Sequence, residues 1–333
     1  MYLTRWTFVG VCLGLMVWAQ PDPPLRSLAE ARKIQIGAAV EPSLLLQEPQ
    51  YAQVLAREFN LVVAENVMKW GALQTARGEY NFAAADLLLN FAQRNRQAVR
   101  GHTLVWHQQL PRWMYGSFTS AEMEAILSDH IRTVVGRYRG QIAYWDVVNE
   151  AIGDDARLRS TPFDVLPGYL EKAFRLARAA DPSAKLFYND YGAEGLGAKS
   201  DAIYALLKEL RARGVPVDGV GFQVHVDSSF SPRQVRMAEN LERFAQLGLE
   251  IHITEMDVLL SSTGSRAERL ERQAQVYREV LQVCLRQPRC KVFTLWGFTD
   301  AHSWRGASEP LIFDVDYQPK PAYFALQRTL QQP

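Results

Sequence analysis

Eight short apolar segments separated by longer amphipathic stretches run from residue 34 to residue 296, and this alternation restricts the chain to an α/β architecture. The segments are 34–39, 61–64, 98–105, 142–148, 185–188, 219–224, 250–254 and 291–296. Between them lie helical signals. Met123, Ile126, Leu127, Ile131, Val134 and Val135 follow the three-to-four spacing of one buried helix face. Thr119 with Glu122, and Ser265 with Glu268, read as capping boxes, while Ser231 followed by Pro232 predicts a helix start with proline at the first helical position. Eight strand and helix alternations favour a closed parallel (β/α)₈ TIM barrel over an open sheet. A length of 333 residues suits one such unit, and 48% hydrophobic against 22% charged residues is enough to bury its core. The chain is expected to fold alone, as a monomer.

At the N-terminus Arg5 precedes an uncharged apolar run from Trp6 to Trp18, followed by Ala19. That is the order of a secretory signal peptide, read here as residues 1–19, with the barrel occupying 20–333. The run is short for a bilayer span, although an uncleaved anchor is the alternative. The expectation is an extracellular or periplasmic protein that keeps no contact with a membrane after cleavage. Against 36 acidic residues stand 37 basic ones, and loss of Arg5 balances them, so no clustered positive field attracts nucleic acid. Cys12 falls in the leader. Cys284 and Cys290 remain, and an oxidising compartment favours a disulfide between them over two buried free thiols. Two thiols without a nearby histidine do not form a metal site, and neither a metal nor another cofactor is expected.

In a parallel barrel the loops at the C-terminal ends of the strands converge on one face. Polar residues gather there: Glu65, Asn66 and Lys69 after the second segment, His102, Trp106 and His107 at the third, and Asn149 with Glu150 at the fourth. Asn189 with Asp190 close the fifth, Gln223 with His225 the sixth, Glu255 with Asp257 the seventh, and Trp296 the eighth. A single carboxylate at a strand end is ordinarily a helix cap or a surface ion pair. A whole ring of such groups on one mouth is different, because burying them is costly unless a function retains them. Two glutamates, with no cofactor motif, suit cleavage of a glycosidic bond, in which one acid protonates the leaving oxygen and another group stabilises the oxocarbenium ion. Trp106, Tyr191, Trp296 and Trp304 supply flat faces that stack on sugar rings; Trp70 has a core position as an equal alternative.

These residues resemble glycoside hydrolase family 10, the retaining endo-β-1,4-xylanases, over nearly the whole chain after the leader. The matching runs are IGAAV from Ile36, EFN from Glu58, ENVMKW from Glu65, GHTLVWH from Gly101, WDVVNEA from Trp145 and YNDY from Tyr188. GFQVH from Gly221, ITEMD from Ile253, LWGFTD from Leu295, the pair Ser303 and Trp304, and PKPAY from Pro319 complete the set. The resemblance implies that Glu255 attacks the anomeric carbon of xylan while Glu150 is the general acid and then the general base. It further implies that Asn149 binds the 2-hydroxyl, that His225 holds Glu255, and that Asp257 holds His225. Lys69, His102, Gln223 and Trp296 would line the subsite of the attacked sugar, Glu65 and Asn66 the next one, and Trp106 would belong to the same cleft. Trp304 would cap this donor side, and Tyr191 would stack or hydrogen-bond on the leaving-group side. A cis peptide after His102 and a disulfide between Cys284 and Cys290 are also implied. Gly192, where the family often has Asn, and Val63, where Thr is usual, depart from the pattern. The resemblance leaves no residues for a carbohydrate-binding module.

Two rival readings share parts of this pattern. A cellulase or mannanase on a retaining barrel would use the same two glutamates on a sugar that carries a hydroxymethyl group. A non-catalytic xylan-binding barrel should have lost a carboxylate, and both are present.

Overall fold

The computed structural model describes residues 23–332, so the leader read from residues 1–19 lies outside them. Strands β1 (Gln35–Val40), β2 (Leu61–Ala64), β3 (Ala98–Val105), β4 (Tyr144–Asn149), β5 (Lys185–Asp190), β6 (Gly219–Phe222), β8 (Glu250–Leu259) and β9 (Cys290–Leu295) all run parallel. Each pairs with the next, β6 pairs with β8, and β9 returns to β1, which closes an eight-stranded barrel. A short additional strand, β7 (His225–Asp227), pairs with the overhanging end of β8. Helices between and after the strands wrap the outside, and the fold is the expected (β/α)₈ barrel.

The alternation of side chains along each strand divides the interior in two. Ala38, Val40, Val62, Phe293 and Leu295 point outward into the large core beneath the helices. Met123, Ile126, Leu127, Ile131, Val134 and Val135 are all buried on helix Ser120–Arg137, whose N-terminus carries the predicted Thr119 and Glu122 capping box. Ser265 and Glu268 cap helix Arg266–Arg286 in the same way. Inside the barrel a smaller cluster forms from Ala39, Leu61, Val63, Val292 and Trp296, so Val63 is a packing residue.

A chain of paired polar groups runs along the axis of the remaining lumen. Arg100 bonds both oxygens of Asp146, and its Nη1 lies 2.9 Å from His252 Nδ1. Asp146 Oδ2 in turn lies 3.0 Å from His102 Nδ1, which orients that imidazole at the mouth. Burial pushes His252 down to about 4, so the ring is neutral, accepts from Arg100 at Nδ1 and donates from Nε2 to Glu250 Oε1 at 2.9 Å.

One expected helix start is corrected. Ser231 and Pro232 open a turn, and the helix begins at Met237, because Arg236 takes a left-handed conformation at φ 57° that no helix can run through. Cys284 and Cys290 form the disulfide, Cα to Cα 5.3 Å, at the start of β9 and hence at the end of the barrel opposite the mouth.

Candidate active site

The thirteen residues assigned to catalysis or substrate from the sequence, two glutamates and eleven neighbours, line a single cavity of about 530 Å³, whereas His107, Asn189, Asp190 and Asp257 stand behind its wall. Gln108, Gln109 and Arg305 complete its wall. Trp70 is absent from it: the indole is buried and stacked on His130 at 3.7 Å, which settles its alternative as core.

Glu255 sits inside β8 and is almost wholly buried. Both its oxygens are held. Asn189 Nδ2 donates to Oε1 at 2.6 Å, and His225 Nε2 lies 3.1 Å from Oε2. Asn189 is itself oriented by Thr254, whose hydroxyl donates to Oδ1 at 2.7 Å. Gly221 makes this possible, since a Cβ there would lie 2.3 Å from Asn189 Oδ1. Burial opposes ionisation of Glu255, but the bond from His225 and the positive field of His102 outweigh it, and the carboxyl is held below the ordinary carboxylate value. Burial would likewise strip the proton from His225. Asp257, with Oδ2 3.0 Å from Nδ1, and Glu255 reverse this and raise the imidazole to about 9.

Glu150 follows β4 in a left-handed conformation, φ 55°, which swings its side chain over the cavity. Gln223 Nε2 donates to Oε1 at 3.0 Å and Trp106 Nε1 to Oε2 at 2.8 Å. Val224, also left-handed at φ 63°, breaks the chain between β6 and β7, so that Gln223 reaches Glu150 while His225 reaches Glu255. Asn149 stands between the two carboxylates. Its Oδ1 accepts from Asn189 at 2.9 Å and lies 3.4 Å from Gln223 Nε2, which leaves its amide hydrogens to face the cavity.

On the other side Lys69 donates to Asn66 Oδ1 at 2.9 Å, and its ammonium lies 4.9 Å from the Trp106 ring centroid. Burial lowers the Lys69 pKa against the pull of Glu255, Glu65 and Glu150. Burial also raises Glu65 to about 7, with Lys69 opposing it, so that carboxyl exchanges its proton near neutrality. Trp296 packs edge-on against His102 at 5.2 Å and Trp304 against His225 at 5.1 Å. Trp304, 55% exposed, is anchored by its Nε1, which donates to Asp257 Oδ2 at 2.7 Å.

The Asp257 carboxylate therefore orients a histidine and a tryptophan at once. Asp257→Asn retains an acceptor for Trp304 but removes the charge that keeps His225 cationic. His225 then loses its proton at lower pH, Glu255 loses the partner that favours its anion, and the acid limb of the kcat/KM profile moves to higher pH. Activity at neutral pH is expected to fall on the order of 10- to 100-fold in a folded protein. Paired pH profiles measure both effects, and a wild-type profile from the folded variant would remove the link from Asp257 to Glu255.

Several contributors were not singled out from sequence. Asn189 was noted only as a strand-end residue, yet it bridges Asn149 and Glu255. Asp146 reaches the mouth only through His102. Tyr191 sits in its predicted place, its hydroxyl donating to Asp154 Oδ2 at 3.1 Å and accepting from Arg159 Nη2 at 2.7 Å. With its proton engaged, it offers a sugar its ring face. Gly192 has φ 64°, a conformation open to Gly and Asn alike, which accounts physically for this departure from the pattern. The peptide between His102 and Thr103 is cis.

Residues 24–329 match the family described as Glycosyl hydrolase family 10. Endo-1,4-beta-xylanase B of Thermotoga neapolitana is 44% identical over 321 residues, 93% of this chain and 92% of the relative. Among solved structures, native xylanase 10B from Thermotoga maritima superposes with TM-score 0.89 at 44% identity, covering 92% of this chain and 98% of that one. Xylanase 10B from Thermotoga petrophila RKU-1, solved in complex with xylobiose, superposes with TM-score 0.91 at 42% identity, covering 94% and 99%.

Proposed function

The chain belongs to glycosyl hydrolase family 10 and is a retaining endo-1,4-β-xylanase, and on that premise we propose that Glu255 is its nucleophile and Glu150 its general acid and base. The observation that carries the assignment is the difference between their surroundings. Glu255 is buried against a histidine raised to about 9 and is held as the anion, the state a nucleophile needs. Glu150 instead meets two neutral donors, the Gln223 amide and the Trp106 indole.

In the first step Glu255 attacks the anomeric carbon while Glu150 passes its proton to the departing glycosidic oxygen, leaving a xylosyl ester on Glu255. In the second, Glu150 takes a proton from water as that water attacks the anomeric carbon and frees Glu255. Asn149 directs its amide hydrogens to the 2-hydroxyl, where a bond strengthens as positive charge develops on the ring. Lys69, His102, Gln223 and Trp296 bind the attacked sugar, Glu65 and Asn66 the next one, and Trp304 covers this donor side. Tyr191 carries the leaving-group sugar.

The indoles of Trp296 and Trp304, both packed on His225, support a subsite shaped for xylose, which has no hydroxymethyl group. Initial rates on xylan, β-glucan and mannan test the specificity. Xylan should be cleaved at least about 100-fold faster, since each misfit or unpaired group costs about 1–3 kcal/mol; comparable rates on glucan would reject it.

We also propose that residues 1–19 are a cleaved secretory leader and that the barrel works as a monomer outside the membrane. The Cys284–Cys290 disulfide, which suits an oxidising compartment, supports export. N-terminal sequencing of protein from an expressing culture should find it outside the cytoplasm and starting at Gln20; a retained chain starting at Met1 would overturn this.

A further inference from the structure

We propose that Arg159 is a positioning residue that locks the acid/base Glu150 and the leaving-group platform Tyr191 into one rigid unit. The proposal rests on the assignment of Glu150 above. It starts from the backbone. A non-glycine residue at φ 55° is strained by about 1–3 kcal/mol and persists only where its neighbours hold it. Both peptide groups of Glu150 are held: its N–H donates to Asn189 O at 2.8 Å, and its carbonyl accepts from Arg159 Nε at 3.0 Å. The same guanidinium donates from Nη2 to the Tyr191 hydroxyl at 2.7 Å.

Arg159 is delivered by the loop that leaves Glu150. Ile152 bridges Leu158, Gly153 N donates to Arg157 O at 2.7 Å, and Arg159 N donates to Ala151 O at 2.8 Å, so the loop folds back on the residue it follows. Tyr191 is fixed from two further sides. Asp154 Oδ2 accepts a hydrogen bond from its hydroxyl, and the Lys199 ammonium sits 3.4 Å from its ring centroid while pairing with Asp190 Oδ1 at 3.1 Å. The guanidinium reaches the main-chain carbonyl and the phenol from two nitrogens fixed in one plane, whereas lysine would offer its donors from a single atom on a flexible stem. The proton donor and the surface that carries the leaving sugar thus share one guanidinium, which sets the distance between the proton and the glycosidic oxygen.

The test compares Arg159→Met and Arg159→Lys with wild type on xylotetraose and on an aryl β-xylobioside with an acidic phenol. The aryl group needs neither a proton nor the leaving-sugar platform to depart. With Arg159→Met, kcat/KM on xylotetraose is expected to fall on the order of 10- to 100-fold, the scale of a misplacement by about 1 Å. On the aryl substrate kcat/KM should stay within about 3-fold, while kcat and KM fall together because Glu150 still has to activate water in the second step. Arg159→Lys should recover less than half of the loss, logarithmically. Equal losses on both substrates, or wild-type kcat/KM on xylotetraose, would overturn the proposal. Glu150→Ala measured alongside separates the two readings: if it spares neither substrate, the assignment of Glu150 fails whatever Arg159 does.

Discussion

Removal of the Glu255 carboxylate in Glu255→Ala is expected to lower kcat/KM on the order of 10⁵-fold or more, on xylan and on an aryl xylobioside alike. No leaving group, however acidic, compensates for a missing nucleophile. Asn189 and His225, which hold the two oxygens of Glu255, would then face an empty space from which the reacting carbon is reached. Added azide can enter that space and attack directly, and a single displacement gives the α-configured glycosyl azide. The chemistry is read by chiral assignment of the azide product, and recovery of β azide from this variant would show that a second enzymic carboxylate had already reacted.

Glu150→Ala should fail differently. Loss of the proton donor is expected to cost on the order of 10³- to 10⁴-fold on xylan, whose leaving sugar is a poor one. The acidic phenol departs without help, so its first step survives and the ester on Glu255 accumulates, visible as a burst of phenol followed by slow turnover. Azide attacks this ester without base assistance and restores turnover as the β-configured azide, by double displacement. The two variants thus separate the roles by stereochemistry as well as by rate, and exchange of their azide products would exchange Glu150 and Glu255.

Much of this was legible from the sequence because polar residues interrupt otherwise apolar strands. β2 and β3 coincide with their predicted bounds, and all thirteen contributors assigned to substrate meet in one cavity. Several strands run past their predicted C-terminal ends, at the mouth. β4 continues to Asn149, β5 to Asp190 and β8 to Leu259, because backbone pairing carries on where the side chains turn polar for chemistry. β6 is shorter than predicted since Val224 leaves the strand region, a conformation that a β-branched residue rarely adopts and that no local pattern announces. At Ser231 and Pro232 the local signal is that of one turn, and Arg236 prevents it from propagating.

The contributors that escaped notice act through tertiary contacts. Asn189 matters because Gly221 leaves room for its amide beside Glu255, a relation between neighbouring strands. Arg159 lies in a loop of charged residues whose spacing gives no hint that one of them returns to the carbonyl of Glu150. Asp257 was expected to hold His225, but its second partner, Trp304, lies 47 residues away in sequence and joins it only through the fold. What the sequence shows is which groups reach the mouth; which of them hold one another is settled by the register of the strands and the return of the loops.

The assignment of Glu255 as nucleophile is tested most directly by trapping the glycosyl ester. A dinitrophenyl β-xylobioside with fluorine at the 2-position of the attacked sugar reacts slowly, and its ester decomposes more slowly still, because fluorine destabilises the oxocarbenium-like transition state of both steps and cannot donate the hydrogen bonds of a hydroxyl. Peptide mass spectrometry of the inactivated enzyme should place one fluoroxylobiosyl group on Glu255 and none on Glu150. A label on Glu150, or release of dinitrophenol without any labelled peptide, would contradict the account.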